Sequence, residues 1–269
     1  MLRSLNAAAT GLQAQQRNVD VIANNLANVN TTGFKRSRAE FADLLYVQLQ
    51  EPGAAVSQGE GLYSPTGIQI GHGVRNTATT TLFSVGAFAQ TDRALDLVIE
   101  DQGEARGFFQ VELPNGSTAY TRDGSFQVDR DGTIVTSGGY RVFPNVTGIP
   151  DDYVSIMVGT DGTVQVILPN DPTPQNVGQI ELASFVNPAG LRAHGSNLYL
   201  ETEASGSAAT GVPGDEQFGV VRSGFVESSN VEAVRELVNL ITAQRAYEMN
   251  SRVIQTADEM LQATATLRR

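Results

Sequence analysis

The chain has 269 residues, of which 41% are hydrophobic and 17% are charged, so it can bury a packed core in one large domain or two ordinary ones. It contains no cysteine, which excludes disulfides, cysteine-ligated zinc and thiol nucleophiles. Its formal net charge is −11, with the acidic excess in the middle of the chain, which argues against general nucleic-acid binding.

Two kinds of hydrophobic segment are missing from the sequence. No stretch reaches the roughly 20 apolar residues that a membrane-spanning helix needs, so we expect no membrane span. The first residues also lack the apolar run of about 7–15 residues that marks a cleavable signal peptide. If the protein is exported, we expect it to leave by a route that keeps its N-terminus.

Residues 4–29 are predicted to form an amphipathic helix, because apolar residues recur at alternating spacings of three and four. Glycine at position 11 and four asparagines make it a poor helix in isolation, so we expect it to depend on packing against other helices. A terminal helix docked on its own domain is the alternative. The predicted seam, with its flanking apolar positions, contains Leu5, Ala9, Leu12, Gln16, Val19, Ile22, Ala23, Leu26 and Val29.

A basic turn follows this helix. Gly33 suits the left-handed conformation found past a helix end. Lys35, Arg36 and Arg38 then form either a solvated turn or a set of contacts with acidic surface on a neighbouring molecule. Residues 39–50 have mixed helix and strand character, and residues 51–73 are predicted to be a long loop or an extended excursion.

Residues 74–226 are predicted to be β structure without strand–helix alternation, which argues against a parallel α/β sheet. Turn pairs such as Asn115-Gly116, Asp131-Gly132 and Asp161-Gly162 separate strand-like runs and predict antiparallel hairpins. The predicted strands are residues 108–113, 117–122, 125–128, 133–136, 154–158, 163–168, 179–186, 197–201 and 219–226.

A second amphipathic helix is predicted from Ser229 onwards, with Ser229 or Asn230 as its cap and Glu232 at the spacing of a capping box. Polar residues interrupt its seam, which favours a helix that meets several neighbours along a partly wet interface. The seam positions are Leu237, Leu240, Gln244, Tyr247, Ser251, Ile254, Asp258, Leu261 and Ala265.

Residue patterns typical of catalysis, metal binding or cofactor binding are weak in this chain. His72 and His194 both lie in glycine-rich contexts without a Ser-His-Asp arrangement. The stretch 129–132 resembles the start of a calcium loop but lacks its later glycine and glutamate, so we expect a hairpin turn. Gly71 and Gly73 are not followed by a helix, as a phosphate-binding loop requires. We therefore expect no enzyme activity, no cofactor and no metal.

Several motifs together resemble the axial proteins of the bacterial flagellum, the family that forms the rod and the hook. The motifs are ANNLANVNTTGFK at residues 23–35, GFFQV at 107–111, AYTRDGSF at 119–126, GFVESSNV at 224–231 and QRAYE at 244–248. Within this family, the chain length and RSRAEFADLLY at residues 36–46 resemble members of the distal rod. One departure is an acidic insertion after Ile99, which we interpret as a surface loop.

The resemblance implies an α+β fold in which the N- and C-terminal helices form a coiled-coil-like inner domain and the antiparallel all-β middle lies outside. The expected parts are residues 1–33 with 229–269 as the helical inner tube, 34–73 as an extended connector or wedge, and 74–228 as the β-rich outer domain. The implied function is that of a structural subunit of a helical drive shaft, which transmits torque through the periplasm.

The resemblance also implies partners and a location. The partners would be further copies of the chain in a helical homopolymer, proximal rod proteins, hook protein, P-ring and L-ring proteins, and the flagellar type III export apparatus. The location would be the basal body, reached without cleavage of a signal peptide. Alternatives are another axial protein of the proximal rod or hook, or a secreted β-domain adhesin or enzyme.

The residues expected at subunit interfaces lie on the two helices and in the basic turn. They are Leu5, Leu12, Val19, Ile22, Asn24, Asn25, Leu26, Asn28, Phe34, Lys35, Arg36, Arg38, Leu237, Leu240, Gln244, Arg245, Tyr247, Ile254 and Leu261.

Overall fold

A computed structural model describes residues 2–52, 66–103, 105–169, 171–215 and 217–267. The chain divides into two compact units, and it passes between them four times. The first unit holds the residues up to Leu26, Ser37–Thr80 and the residues from Glu232 onwards. The second holds Ala27–Arg36 and Thr81–Val231. The expected connector, residues 34–73, is therefore grouped mainly with the helices.

Two antiparallel helices, α1 (Leu2–Ala27) and α2 (Ala233–Leu267), dominate the first unit. A Cβ atom built on Gly11 would lie 3.0 Å from Nδ2 of Asn250. Near the other end of α1, Asn25 Nδ2 donates a hydrogen bond of 3.4 Å to Glu236 Oε2. Contacts thus move forward along α1 and backward along α2, which defines the antiparallel pairing.

The buried stripes of the two helices differ from the predicted seams. On α1 the predicted seam positions Ala9, Gln16 and Ala23 are exposed in the single chain, so the packing of this seam against other helices remains a prediction. The hydrophobicity pattern missed the buried stripes because most of their members are small or polar. These buried members are Ala8, Ala14, Ile22 and Asn25 on α1, and Glu236, Ala243 and Ala257 on α2.

The ends of both helices also differ from prediction. Helix α1 ends at Ala27, so Gly33 is not its cap, although Gly33 does adopt the left-handed conformation with φ of 68°. Helix α2 begins four residues later than predicted, where the carbonyl of Glu232 accepts a hydrogen bond from the Glu236 amide. Ser229 Oγ accepts instead from the Val231 amide, so the capping box is absent.

Four strands complete the described part of the first unit and settle the open character of residues 39–50 as β structure. Strand β1 pairs with β4, and β2 forms an antiparallel hairpin with β3. The rest of the predicted excursion, residues 53–65, lies outside the described residues. These strands are β1 (Ser37–Asp43), β2 (Tyr46–Gln50), β3 (Ile68–Gly71) and β4 (Val74–Thr81).

The second unit consists of antiparallel strands, as predicted. They are β5 (Phe88–Gln90), β6 (Leu97–Glu100), β7 (Gly107–Glu112), β8 (Thr118–Thr121), β9 (Phe126–Val128), β10 (Ile134–Thr136), β11 (Arg141–Phe143), β12 (Ser155–Val158), β13 (Thr163–Leu168), β14 (Asp171–Gln179), β15 (Leu182–Ser184), β16 (Arg192–Gly195), β17 (Leu198–Leu200), β18 (Ala209–Gly211), β19 (Val220–Ser223) and β20 (Phe225–Glu227), with a short 3₁₀ helix at Pro188–Gly190.

The largest sheet has the order β16-β17-β8-β7-β11-β10-β9, and β15 joins it beside β7 and pairs with β18. A second sheet has the order β12-β13-β14, while β19 pairs with β6 and β20 with β5. The predicted hairpins β7–β8, β9–β10 and β12–β13 are confirmed. Strand β14 was not predicted, and the predicted strand 219–226 is interrupted at Gly224, where φ is 81°.

The apolar core of the second unit is built from alternate residues of these strands. Phe109 is fully buried, and its ring meets Phe126 edge-on with the ring centroids 5.1 Å apart. The preceding residue of β7, Phe108, packs in a separate aromatic cluster with Phe83 and Phe185. Strand β7 therefore carries core residues on both of its faces.

We expect Phe109→Ala to lower the free energy of unfolding by about 3–5 kcal/mol, because it removes a fully buried ring and leaves a cavity. Phe143→Ala on the paired strand β11 is the matched control. This residue is 41% exposed, so the loss of its ring should cost clearly less than the loss of the fully buried Phe109 ring. Urea denaturation followed by circular dichroism measures both values. Equal losses for the two variants would contradict this description of the core.

Candidate functional site

Three of the sequence motifs meet inside the second unit, where they bring four charged side chains together. Lys35 comes from the turn after α1, Arg122 from the end of β8, and Glu227 from the end of β20. The fourth is Asp101, which follows β6. Their side chains are only 1–2% exposed, so water screens their charges little. We call these four residues the charge cluster.

Arg122 is the central residue of the charge cluster. Its Nη1 and Nη2 atoms each donate a hydrogen bond of 2.9 Å to one carboxylate oxygen of Asp101. Its Nε atom donates to Glu227 Oε2 at 3.1 Å, and Nη1 also donates to the carbonyl of Gly107. The planar guanidinium suits this forked pairing, which a lysine could not reproduce.

Lys35 completes the charge balance. Its Nζ atom donates to Glu227 Oε1 at 2.6 Å and to the carbonyl of Ser84 at 2.7 Å. Glu227 Oε1 also accepts a hydrogen bond from the Gly86 amide at 2.7 Å. Two cations thus face two carboxylates within the charge cluster, and the partly exposed Arg106 lies 3.9 Å from Asp101 Oδ2 at its edge. The pairing of opposite charges is what allows the four side chains to be buried together.

The two cations respond differently to this environment. Burial alone would lower the pKa of Arg122, but Glu227 and Asp101 overcome that effect and raise it, so the guanidinium stays charged. Burial, assisted by the positive charge of Arg122, lowers the pKa of Lys35 from 10.5 to about 8, although Glu227 opposes the change. The partners of Arg122 therefore stabilise its charged form, whereas burial partly disfavours the charged form of Lys35.

Asn25 makes a second buried polar arrangement, which lies within the first unit. Its Oδ1 atom accepts from the Ser37 amide at 2.9 Å, and its Nδ2 atom donates to the Ser37 carbonyl at 2.8 Å. The side chain thereby satisfies the backbone N–H and C=O of Ser37, as a neighbouring strand would do at this end of β1. Because Asn25 also bonds Glu236 of α2, it connects both helices to the first strand.

The structure gives some of the predicted interface residues partners within the chain. Lys35 and Asn25 are both 1% exposed and are hydrogen-bonded as described above. Arg38 is exposed and pairs with Glu40 on its own strand, with 2.6 Å between Nη2 and Oε1. Phe34 and Arg36 are half-buried. An interface role for these residues remains a prediction.

The helix residues predicted at interfaces are more accessible. Leu237 is 45% exposed, and Gln244, Arg245 and Tyr247 are also exposed. Asn24 is exposed, and the remaining members are half-buried apart from Ile22, which is buried. These half-buried members are Leu5, Leu12, Val19, Leu26, Asn28, Leu240, Ile254 and Leu261.

Residues from the two predicted seams line one open groove along the helix pair. Its volume is about 540 Å³, and its lining includes Gln16 and Val19 of α1 with Gln244 and Tyr247 of α2. Elsewhere on α2, other large apolar side chains are 45–69% exposed. They are Val234, Leu237, Val238, Ile241, Met249, Val253 and Met260.

The sequence interpretation of the acidic insertion was wrong for one residue. Gln102 and Gly103 are exposed, as expected of a surface loop, and Glu100 is exposed at the end of β6, but the carboxylate of Asp101 is buried against Arg122. The sequence also gave no pairing for Glu227. The one feature of the sequence that singles out a member of the charge cluster is that Lys35 is the only lysine and the only charged residue of the motif at 23–35.

Within the described ranges, no group of three or more metal-binding side chains was found, and no helix is long and apolar enough to cross a membrane. The calcium-like stretch forms the β9–β10 turn, in which the Gly132 amide donates to the Asp129 carbonyl at 2.9 Å. The described structure thus offers a buried charged network in the second unit and partly exposed apolar side chains on α2 of the first.

Comparison with known proteins identifies the family. Family models for the flagella basal body rod protein, the flagellar hook protein FlgE/F/G D1 domain and the flagellar basal body rod FlgEFG protein C-terminal match residues 5–35, 102–166 and 222–267. The flagellar basal-body rod protein FlgG of Caulobacter vibrioides is 50% identical over 267 residues, covering 99% of this chain and 100% of that protein. This chain belongs to the FlgG family of flagellar basal-body rod proteins.

Other relatives show how far the similarity to FlgG extends. FlgG of Borreliella burgdorferi is 47% identical over 271 residues, covering all of both chains. A flagellar hook-basal body complex protein of Bacillus subtilis, FlhP, is 30% identical and covers 97% of both. Apart from Asp101 and Glu236, the side chains of the charge cluster and of the Asn25 arrangement belong to the motifs that resemble this family.

We expect Arg122→Met to lower the free energy of unfolding by about 3–5 kcal/mol, because it removes the guanidinium that pairs with both buried carboxylates, Asp101 and Glu227. Arg222→Met is the matched control. Arg222 forms an exposed ion pair with Glu100, so its loss should cost about 1 kcal/mol or less. Urea denaturation measures both. Similar losses would show that the charge cluster does not determine stability.

Lys35 should make stability depend on pH. Between pH 8 and 10.5 the unfolded chain retains the Lys35 proton that the folded chain has released, so the stability contribution of Lys35 rises with pH. We expect the free energy of unfolding of the wild type, relative to Lys35→Met, to increase by about 1–2 kcal/mol between pH 7.5 and 9.5. A difference that stays constant or falls over this range would contradict the assignment.

Proposed function

We propose that this chain is a structural subunit of the flagellar distal rod, which assembles as a helical homopolymer through its two helices. Family membership supports a structural role in the basal-body rod and excludes an enzyme or adhesin of another family. The relatives that are 42–50% identical over nearly the whole chain carry the name FlgG, which favours the distal rod over the proximal rod or hook.

The observation that carries the assembly proposal is the uncovered apolar surface of α2. Among the described residues of this helix, seven large apolar side chains are 45–69% exposed, in addition to Tyr247 in the groove. A soluble monomer rarely leaves so many large apolar side chains of one helix in water, so a partner surface is expected to cover them. Helices of neighbouring copies would supply that cover in a head-to-tail helical contact.

The β2–β3 hairpin is a second surface that fits this role. Leu45 is 88% exposed, and Leu49, Ile68 and Tyr46 are each more than half exposed. A two-stranded hairpin is marginally stable alone, so contacts with further copies would stabilise it. We propose that this segment fills gaps between subunits and stiffens the rod.

The further partners follow from the proposed place in the rod. Proximal rod proteins and hook protein would meet the two ends of the polymer, and the P-ring and L-ring proteins would surround it. Export through the flagellar type III apparatus without cleavage would bring the chain to the rod in the periplasm. No cofactor is needed for this function.

We expect Leu237→Lys to raise the protein concentration required for polymerisation about tenfold to a hundredfold. The leucine would otherwise bury apolar area worth about 1.5–3 kcal/mol against a neighbour. Gln255→Lys introduces the same side chain at an exposed polar position of the same helix and should change this concentration less than about threefold. Sedimentation of the purified chain over a concentration series measures both.

A wild-type chain that stays monomeric at every concentration would count against self-assembly. The same holds if Leu237→Lys and Gln255→Lys polymerise alike.

Incorporation into the basal body of a cell can be examined in a Caulobacter vibrioides strain that lacks its rod protein. Basal bodies isolated from this strain should contain the chain in the rod, and its absence from them would contradict the proposed place of action.

A further inference from the structure

The chain leaves or enters the second unit at three segments, and side chains within that unit tie these segments together. The segments are residues 27–36, residues 81–87 and residues 225–231. Each one continues directly into an element of the first unit: α1 and β1, β4, and α2, respectively. These three segments are therefore the parts of the second unit that lead directly into the elements of the first unit.

Asn230 bonds to two of these segments from the third. Its Oδ1 atom accepts from the Arg36 amide at 2.7 Å. Its Nδ2 atom donates to the carbonyls of Leu82 and Ser84 at 2.8 and 3.1 Å, and lies 2.9 Å from Ser84 Oγ. One amide side chain thus satisfies backbone groups that no regular sheet pairing serves.

Glu227, three residues before Asn230, also bonds to the other two segments. Its carbonyl accepts from the Gly33 amide at 2.8 Å, and its carboxylate accepts from Gly86 and Lys35. The backbone adds direct bonds of 2.8 Å, from the Leu82 amide to the Arg36 carbonyl and from the Ser228 amide to the Ala87 carbonyl. We call this set of bonds the clamp.

Two charged residues of the charge cluster, Arg122 and Asp101, hold Glu227 of the clamp in place. Arg122 holds Glu227 through Nε, and Asp101 holds Arg122 in a bidentate pair. A buried arginine with two carboxylate partners has few alternative arrangements, because any departure leaves a charge without a partner. The position of Glu227, and with it the Gly33 and Gly86 segments, is therefore fixed by the core of the second unit.

We propose that the clamp is already formed in the free subunit and fixes the three chain segments that lead to α1, β1, β4 and α2 before the subunit joins the polymer. The inference rests on the proposed function, because it assigns the clamp a role in assembly. Its physical benefit is entropic: segments that are already ordered lose less conformational freedom when neighbouring copies bind.

Hydrogen exchange of the dilute wild-type chain tests the first half of the proposal. The amides of Gly33, Arg36, Leu82 and Gly86 should exchange at least a hundredfold more slowly than unstructured amides, while the chain is monomeric. Exchange at the unstructured rate in the monomer, with protection only in the polymer, would overturn the proposal, because the clamp would then be a product of assembly.

Asn230→Asp tests the second half of the proposal, that the clamp has a role in assembly. It keeps the oxygen that accepts from Arg36 but replaces the donor that faces the carbonyls of Leu82 and Ser84 with an oxygen. We expect exchange at Leu82 and Gly86 to accelerate at least tenfold and the lag before polymerisation to lengthen at least tenfold. Amides of β7 and β8 should change less than twofold, which shows that the core remains folded.

Asn187→Asp is the matched control, since its Nδ2 atom donates to the Ala204 carbonyl at 3.0 Å at an exposed position of the same unit. It should leave exchange in the clamp and the polymerisation lag unchanged. Asn230→Ala serves as a second variant without added charge, and it should also accelerate exchange at Arg36, whose acceptor it removes.

Two further outcomes separate the clamp from the proposed function. If Asn230→Asp opens the clamp but polymerises with the wild-type lag, the clamp has no role in assembly and the inference fails, while the proposed function stands. If the wild type does not polymerise at all, the proposed function fails, and with it the role of the clamp in assembly, whatever the exchange data show.

Discussion

The forked contact of Arg122 with Asp101 and Glu227 is the interaction on which the second unit depends. Buried charges are costly unless each has a partner of opposite sign, so this contact requires three distant parts of the sequence to meet in one arrangement. Glu227, once fixed, orders the backbone around Gly33 and Gly86. An apolar substitute for the cluster could supply stability, but it would not supply the hydrogen bonds that tie these segments together.

The first unit is stabilised in a different way. Its two helices meet through small and polar residues such as Gly11, Ala243 and Asn250, which allow a close approach but bury little apolar area. The larger apolar residues of α2, such as Val238 and Ile241, face outwards instead. This distribution is costly for a monomer and favourable for a polymer subunit, in which neighbouring helices cover the outward face.

Sequence reasoning succeeded where the structure follows from local chemistry. A pair such as Asp131-Gly132 fixes a hairpin turn through its own backbone preference, so the antiparallel strands around it could be predicted. Strand β14 was missed because Pro174 and its polar neighbours are unfavourable for an interior strand, although an edge strand tolerates them. Most of the helix residues buried within the chain were not predicted, because hydrophobicity does not register small residues such as Ala8 or a buried Asn25. The partner of Asp101 could not be predicted, since the contact depends on tertiary structure alone.

Hydrogen exchange along α2, compared between dilute subunit and polymer, tests most directly whether neighbouring copies complete the first unit. The account predicts that the backbone amides of Ala233–Leu267 exchange rapidly in the dilute subunit and at least a hundredfold more slowly in the polymer, because the apolar face is covered only there. Strong protection in the dilute subunit that does not change on assembly would contradict it, since α2 would then be stabilised fully by its own chain.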